Sequence, residues 1–251
     1  MTQKTDLSLI LACYNDALYL EESLNEIFKV LDMTRLRYEI IFVYDCGSDN
    51  TLEVIERLIK LHGKNKAFKK IVHRKNMGRG KSVRDGMRIA QGDVVGYIDV
   101  DMDIHARYIP SMVSAIADDG YDAACAFRYY RMSISPLFIF RHVLSHGYRF
   151  ISRYLLDERL KDSESGFKFF DRKKIMPLVN ISRYNGWFWD TEIMAYCIYR
   201  GLKIKEISCV FDRRSDKASS VNIINTVASY ARSLTKFKLY LMNHKKERLK
   251  Q

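Results

Sequence analysis

The chain has 251 residues, of which 47% are apolar, and carries a formal net charge of +12. This size and apolar content suit one large α/β domain and exclude a mainly disordered chain. The five cysteines form no CxxC pair, which excludes zinc-ribbon and thioredoxin motifs and favours reduced thiols.

The N-terminal residues MTQKTDLSLI lack the basic start and apolar stretch of a signal peptide. No stretch reaches the roughly 18 apolar residues that a membrane-spanning helix needs. We therefore expect a cytoplasmic protein without a transmembrane segment, either free or peripheral on the inner face of the cytoplasmic membrane. The basic charge favours an anionic partner, which leaves nucleic acid, anionic lipid and phosphorylated substrates open.

Apolar strand-like runs alternate with helical spacing over the first hundred residues. The predicted strands cover residues 7–13, 38–44, 69–73 and 93–101, and the predicted helices cover residues 17–32, 54–61 and 79–91. This βαβαβαβ order predicts a mostly parallel central sheet with helices on both faces.

The pattern changes after residue 104. We predict helices at 107–119, 137–157 and 190–201, strands at 121–127, 166–170 and 203–211, and a final helix that begins near Asn222. The predicted domains are residues 1–221 and a basic amphipathic C-terminal helix and tail, residues 222–251. A basic amphipathic helix binds an anionic membrane surface, and the alternative is a helix that packs on the domain.

Polar residues follow three of the predicted strands. Asn15 follows the first strand, Asp45 the second, and a group of aspartates the fourth. Because ligands of parallel sheets bind at the carboxyl ends of the strands, these residues predict one shared site.

The aspartates of the fourth strand end are Asp99, Asp101 and Asp103. In an extended segment, alternate side chains point to one face. Carboxylates on one face repel each other unless a hard cation lies among them, which suggests Mg²⁺ or Mn²⁺ with a substrate diphosphate. The alternative is a solvated acidic turn.

A basic, glycine-bearing segment covers residues 73–82. Lys75 stands where a P-loop needs glycine, and Val83 stands where a dinucleotide-binding fingerprint needs glycine. What remains is a helix start that can approach phosphate, or a plain helix start with solvated charges.

Six segments resemble motifs of family 2 glycosyltransferases. In chain order they are ACYND, VYDCGSDNT, NMGRGKSVRDGMRIAQGD, IDVDMD, DSESGFKFF and WFWDTEI. The last two resemble dolichol-phosphate mannose synthases and other polyprenyl-phosphate glycosyltransferases. The resemblance implies a GT-A (Rossmann-like) fold and metal-dependent, inverting transfer of a sugar from a UDP- or GDP-sugar to a polyprenyl phosphate. Transfer to a glycan hydroxyl in cell-surface polysaccharide synthesis is the alternative.

The resemblance also implies roles for single residues. The implied donor-binding residues are Tyr14, Asn15, Asp45, Lys81, Asp99, Val100 and Asp101, with Asp45 at the nucleoside. The implied metal ligands are Asp99, Asp101 and Asp103, and the implied phosphate-binding residues are Arg128, Arg141 and Lys217. Ser220 replaces the family's phosphate-binding lysine, so Lys217, Arg213 or Arg214 is expected in that role.

The need for a general base depends on the acceptor. A phosphate oxygen is already ionised near neutral pH and attacks without a strong base, whereas a sugar hydroxyl needs one. Asp162 and Asp190 are the candidates, and the alternatives are a loop residue and a helix N-cap. The predicted catalytic residues are therefore Asp101, Asp162, Asp190, Arg128 and Arg141.

Two other functions are weighed against transfer. Nucleic-acid binding is disfavoured, because no recognised module is present and the basic residues interleave with acidic motifs. A catalytically silent nucleotide-sugar binder is disfavoured by the presence of Asp99 and Asp101.

Overall fold

The computed structural model describes residues 4–130, 160–212 and 223–244. The chain divides into two compact units, one formed by residues 1–130 and 163–213 and the other by residues 131–162 and 214–251. The predicted helix at 137–157 lies outside the described residues.

The first unit alternates strands and helices along the chain. Its strands are β1 (Leu7–Cys13), β2 (Tyr38–Tyr44), β3 (Ala67–Val72), β4 (Val94–Ile98), β5 (Ala123–Tyr130), β6 (Phe167–Asp171) and β7 (Ile204–Phe211). Its α-helices are α1 (Leu20–Leu31), α2 (Thr51–His62), α3 (Arg79–Ile89), α4 (Ile109–Ala117), α5 (Arg172–Ile181) and α6 (Trp189–Tyr199).

The seven strands form one sheet in the order β3-β2-β1-β4-β6-β5-β7. Strands β1 to β4 pair in parallel, as do β5 and β7, whereas β6 is antiparallel to both of its neighbours. The carboxyl ends of the parallel strands therefore share one edge with the amino end of β6. The expectation of a mostly parallel α/β sheet is confirmed.

Helices cover both faces of the sheet, which explains why the central strands are apolar along their length. Leu9 and Leu11 of β1 belong to a core that also contains buried residues of α1, α2 and α4. Ile10 points to the other face, where a Cβ on Gly86 of α3 would lie 2.7 Å from its Cγ2 atom. This alternation is the two-residue period of a strand.

The second unit contains helix α7 (Ile223–His244), close to the predicted start at Asn222. Leu234 and Phe237 are buried, whereas Arg232 and Lys236 are exposed, so the helix is amphipathic. Within the described segments, no helix combines the length and the apolar content that crossing a bilayer requires.

Candidate active site at the carboxyl edge of the sheet

Left-handed backbone marks three loops at this edge. Among the described residues, the non-glycine residues with positive φ are Asn15 (55°), Cys46 (53°) and Met102 (56°). They follow β1, β2 and β4, which are neighbours in the sheet. Side chains disfavour this conformation, and such residues cluster at functional sites.

The loops after β1 and β2 are joined through Asn15. Its Oδ1 atom accepts a hydrogen bond of 2.7 Å from the backbone N–H of Ser48. A Cβ on Gly47 would lie 2.4 Å from the same oxygen, so only glycine allows this approach. Tyr14, which precedes Asn15, is 44% exposed at the rim.

Asp45 is buried and ties β2 to the loop before α3. Its two carboxylate oxygens accept 2.8 Å hydrogen bonds from the backbone N–H groups of Met77 and Gly78. His73 Nδ1 also lies 2.8 Å from Asp45 Oδ1. The carboxylate therefore holds the loop, and its contact with a nucleoside stays a prediction.

The starts of α3 and α6 approach each other closely. Gly78 has φ +92°, and a Cβ on it would lie 2.5 Å from the carbonyl oxygen of Asn185. A Cβ on Gly80 would lie 2.3 Å from the Cβ of Trp189. Lys81, a predicted donor-binding residue, instead bonds to Asp85 one turn along its own helix.

The acidic segment is a turn, so the predicted extended conformation is wrong. Strand β4 ends at Ile98, and the N–H of Met102 bonds to the carbonyl oxygen of Asp99 at 3.3 Å. Val100 is buried, and its carbonyl oxygen accepts a 2.5 Å hydrogen bond from the hydroxyl of Ser23.

Because the strand ends before the acids, strand alternation does not place the three carboxylates on one face. The described residues contain no group of three acidic, histidine or cysteine side chains arranged to hold a metal ion. The predicted ligand set of Asp99, Asp101 and Asp103 is thus not assembled as a group of three.

Asp99 is bound by Arg79, the first residue of α3. Arg79 donates to Asp99 Oδ1 from Nε at 2.9 Å and from a terminal nitrogen at 2.6 Å. A Cβ on Gly166 would lie 1.8 Å from Asp99 Oδ2, so glycine is required there. Burial raises the pKa of Asp99 to about 6, Arg79 acts in the opposite direction, and the Asp101 charge adds to the rise.

The other terminal nitrogen of Arg79 lies 2.5 Å from Asp190 Oδ2. Asp190 Oδ1 accepts hydrogen bonds from the Tyr97 hydroxyl and, at 3.3 Å, from Lys168 Nζ. Asp190 and Lys168 are almost fully buried. The alternative of a helix N-cap at Asp190 is wrong, because Phe188 is the N-cap residue and the carboxylate is bound by Arg79, Tyr97 and Lys168.

Arg128 lies near the carboxyl end of β5, at the predicted edge. Its guanidinium is 3.6 Å from the carboxylate of Glu164 and packs over the ring of Phe211. The acidic turn reaches the same strand end, because Ile104 pairs with Phe211. Arg128 and the acidic turn therefore both border the end of β7.

The remaining predicted residues are not part of the described first unit. Arg141, Lys217, Arg213 and Arg214 lie outside the described residues. Asp162 belongs to the second unit.

The structure adds four residues to the site: Arg79, Tyr97 and Lys168, which bind Asp99 or Asp190, and Trp187, whose ring centroid lies 5.1 Å from Arg79 Cζ. Arg79 lies in the motif NMGRGKS and Lys168 in the motif SGFKFF. Their presence in these motifs is the sequence feature that could have identified them as site residues. Nothing in the sequence indicates that Arg79 pairs with Asp190, 111 residues away.

The model of glycosyl transferase family 2 matches residues 8–178. Glycosyltransferase AglD of Haloferax volcanii is 26% identical over 213 residues, which cover 84% of this chain and 34% of that protein. The dolichyl-phosphate beta-glucosyltransferases of Drosophila melanogaster and Homo sapiens are 26% and 24% identical and cover 81% and 80% of this chain. The chain spans 66% of the length of each of these two relatives.

Solved structures share the fold. A mannosyltransferase from Pyrobaculum calidifontis superposes with a TM-score of 0.61 at 19% identity, covering 86% of this chain and 59% of that one. Glucosyl-3-phosphoglycerate synthase from Mycobacterium tuberculosis superposes with a TM-score of 0.68 at 14% identity, covering 93% of this chain and 79% of that one. The expected GT-A fold is confirmed by these neighbours, and the family match over most of the chain shows that this protein belongs to glycosyl transferase family 2.

Proposed function

We propose that this protein transfers a sugar from a UDP- or GDP-sugar to a polyprenyl phosphate, with inversion at the anomeric carbon and with Mg²⁺ or Mn²⁺. The observation that carries the proposal is that the acidic turn, which Arg79 binds through Asp99, and Arg128 both border the end of β7, at the edge where parallel sheets bind their ligands. Carboxylates for a cation and a guanidinium group for phosphate, here that of Arg128, are what a diphosphate-bearing donor requires.

The relatives support the two substrates. The insect and human relatives are named as dolichyl-phosphate beta-glucosyltransferases. The neighbouring structures hold GDP-Man with Mn²⁺, and UDP-Glc with Mn²⁺ and phosphoglyceric acid. A phosphorylated ligand is thus bound together with a nucleotide-sugar on this fold.

The acidic turn fits a divalent cation with fewer protein ligands than the sequence predicts. Asp99 is bound by Arg79, and Asp101 and Asp103 are the two other carboxylates of the turn that would hold an ion. Magnesium typically uses one or two carboxylates together with substrate phosphates and water. When bound, the ion supplies Lewis-acid neutralisation of the departing diphosphate.

The setting of Asp190 favours a phosphate acceptor. Its carboxylate is buried and accepts hydrogen bonds from Arg79, Tyr97 and Lys168, which is a poor arrangement for taking a proton from a sugar hydroxyl. A polyprenyl phosphate oxygen attacks without such a base. Arg128 supplies a planar, permanently charged donor group for a phosphate.

Peripheral attachment at the inner face of the cytoplasmic membrane accords with a lipid acceptor. Helix α7 exposes Arg232 and Lys236, and cationic side chains on an amphipathic helix attract anionic lipid. The acceptor phosphate of a polyprenol lies at that surface.

The experiment that tests the proposal measures sugar transfer from a panel of UDP- and GDP-sugars. Each donor is assayed with Mg²⁺ or Mn²⁺, with and without a short polyprenyl phosphate. We expect turnover of one donor that requires the lipid phosphate and is abolished by chelation and by Asp101→Ala. Asp119→Asn, an exposed acid at the end of α4, is the matched control and retains full activity. Transfer to an oligosaccharide without the lipid would overturn the proposed acceptor.

A further inference from the structure

Trp187 stands out as a large aromatic side chain that is exposed beside the acidic turn. It is 45% exposed, although the neighbouring Trp189 is fully buried. One side of its ring covers Arg79, whose Cζ atom lies 5.1 Å from the ring centroid. The same guanidinium donates a hydrogen bond to Asp99, so Arg79 links the indole to the acidic turn.

Arg79 is a rigid support for the indole. Its side chain is only 10% exposed, its guanidinium lies over the rings of both Trp187 and Tyr97, and its charge is matched by Asp99 and Asp190. A stacked guanidinium of this kind holds an aromatic ring in one orientation.

Several hydrogen bonds hold the residues that precede Trp187 in its loop. The N–H groups of Arg183 and Tyr184 donate to Glu192 at 2.9 and 3.0 Å. Asn185 accepts from the Lys81 N–H at 3.0 Å and from the Arg84 guanidinium at 2.5 Å. An exposed aromatic ring that is already ordered loses little conformational entropy when a ligand packs on it.

We infer that Trp187 is a substrate-contacting residue that packs against the sugar ring of the nucleotide-sugar donor, with Arg79 as its positioning residue. The inference rests on the proposed function and names the group that meets the sugar. The acidic turn and Arg128 suit the charged diphosphate, whereas the indole offers an apolar, preformed surface for the C–H face of a pyranose.

The chain has two tryptophans, which allows a direct optical test. Tryptophan emission and calorimetric Kd values are measured with UDP, UDP-glucose, GDP and GDP-mannose, each with Mn²⁺, for the wild type, Trp187→Phe and Trp187→Ala. We expect the nucleotide-sugar that binds to change the emission of the wild type but not of Trp187→Phe, in which buried Trp189 remains. Trp187→Ala weakens that nucleotide-sugar roughly tenfold and leaves the bare nucleotide unchanged.

Met33→Ala is the control for general damage, and Arg79→Lys tests the positioning of the indole. Met33→Ala removes an exposed apolar side chain next to the end of α1 and leaves every Kd unchanged. Arg79→Lys keeps the charge but loses the planar stacking group, so it reduces the emission change while Trp187 is still present.

Other outcomes count against the inference. Equal affinity of wild type and Trp187→Ala for a bound nucleotide-sugar overturns it and leaves the proposed function standing. If Trp187→Ala also weakens the binding of UDP or GDP alone, the indole contacts the nucleotide and not the sugar, and the inference is overturned. Absence of binding by a full panel of nucleotide-sugars overturns the proposed function, and the inference with it.

Discussion

Arg79 organises the site at the scale of single residues. It contacts two carboxylates, those of Asp99 and Asp190, and its guanidinium lies over the rings of Tyr97 and Trp187. A buried ion pair of this kind contributes little net stability, but removal of one partner leaves an uncompensated buried charge. The network therefore holds the carboxylates in place, and single substitutions within it are expected to be costly.

Gly166 is the residue that leaves room for Asp99. Because a Cβ would lie 1.8 Å from Asp99 Oδ2 and 2.6 Å from a nitrogen of Arg79, Gly166→Ala forces the carboxylate away from the guanidinium. We expect kcat/KM to fall roughly 10- to 100-fold, as misplaced site groups typically produce. Steady-state kinetics measure the loss.

Gly186→Ala is the control for Gly166→Ala, because nothing lies within 4 Å of its Cβ position. Its kinetics are expected to match those of the wild type. Equal activity of the two variants would show that the position of Asp99 does not matter for turnover.

At the scale of elements, the junction between α3 and α6 brings Arg79 to Asp190 and Trp187. The junction is possible because the start of α3 carries glycines, and the carbonyl oxygen of Asn185 accepts the N–H of Lys81 at 3.0 Å. The βαβ order alone does not specify this contact, because α6 follows an antiparallel strand and a further helix.

Gly80→Ala tests the junction. Its methyl group would lie 2.3 Å from Trp189 Cβ and 2.8 Å from the carbonyl oxygen of Gly186. Alanine favours a helix by about 1 kcal/mol over glycine, but overpacking typically costs about 1–3 kcal/mol. We expect a net loss of unfolding free energy in denaturant titrations and weaker nucleotide-sugar binding. An increase in stability would show that the helices separate without penalty.

At the scale of the whole molecule, Glu192 makes stability depend on pH. Burial raises its pKa to about 7 from 4.5, against the opposing effect of the Tyr184 and Arg183 N–H groups. A carboxyl whose pKa is higher in the folded state favours folding when it is protonated. Its contribution is therefore complete below pH 4.5 and is lost as the pH rises to about 7.

Glu192→Gln removes this titration. Relative to the wild type, the variant should gain up to about 3 kcal/mol of unfolding free energy between pH 4.5 and 7.5, even if it loses one hydrogen bond at every pH. Denaturant titrations at several pH values measure the difference, with the exposed Glu53→Gln as control. Parallel pH curves for Glu192→Gln and the wild type would show that Glu192 does not titrate in this range.

The sequence by itself determined the sheet, the family and the edge that carries the site. Strand and helix periodicity follow from local apolar patterning, and the carboxyl ends of parallel strands meet at one edge by geometry. The positions of Asn15, Asp45 and the acidic segment at this edge were predicted on that basis, whereas Arg128 was expected only from the family resemblance.

Only the tertiary structure decided the conformation of the acidic turn and the partners of Asp99 and Asp190. The turn after Ile98 depends on where the pairing of β4 ends and on a hydrogen bond from Ser23, which is far away in the chain. The pairing of Arg79 with Asp190 depends on the packing of two helix starts. Contacts between distant residues have no local pattern, so they appear only once the chain is folded.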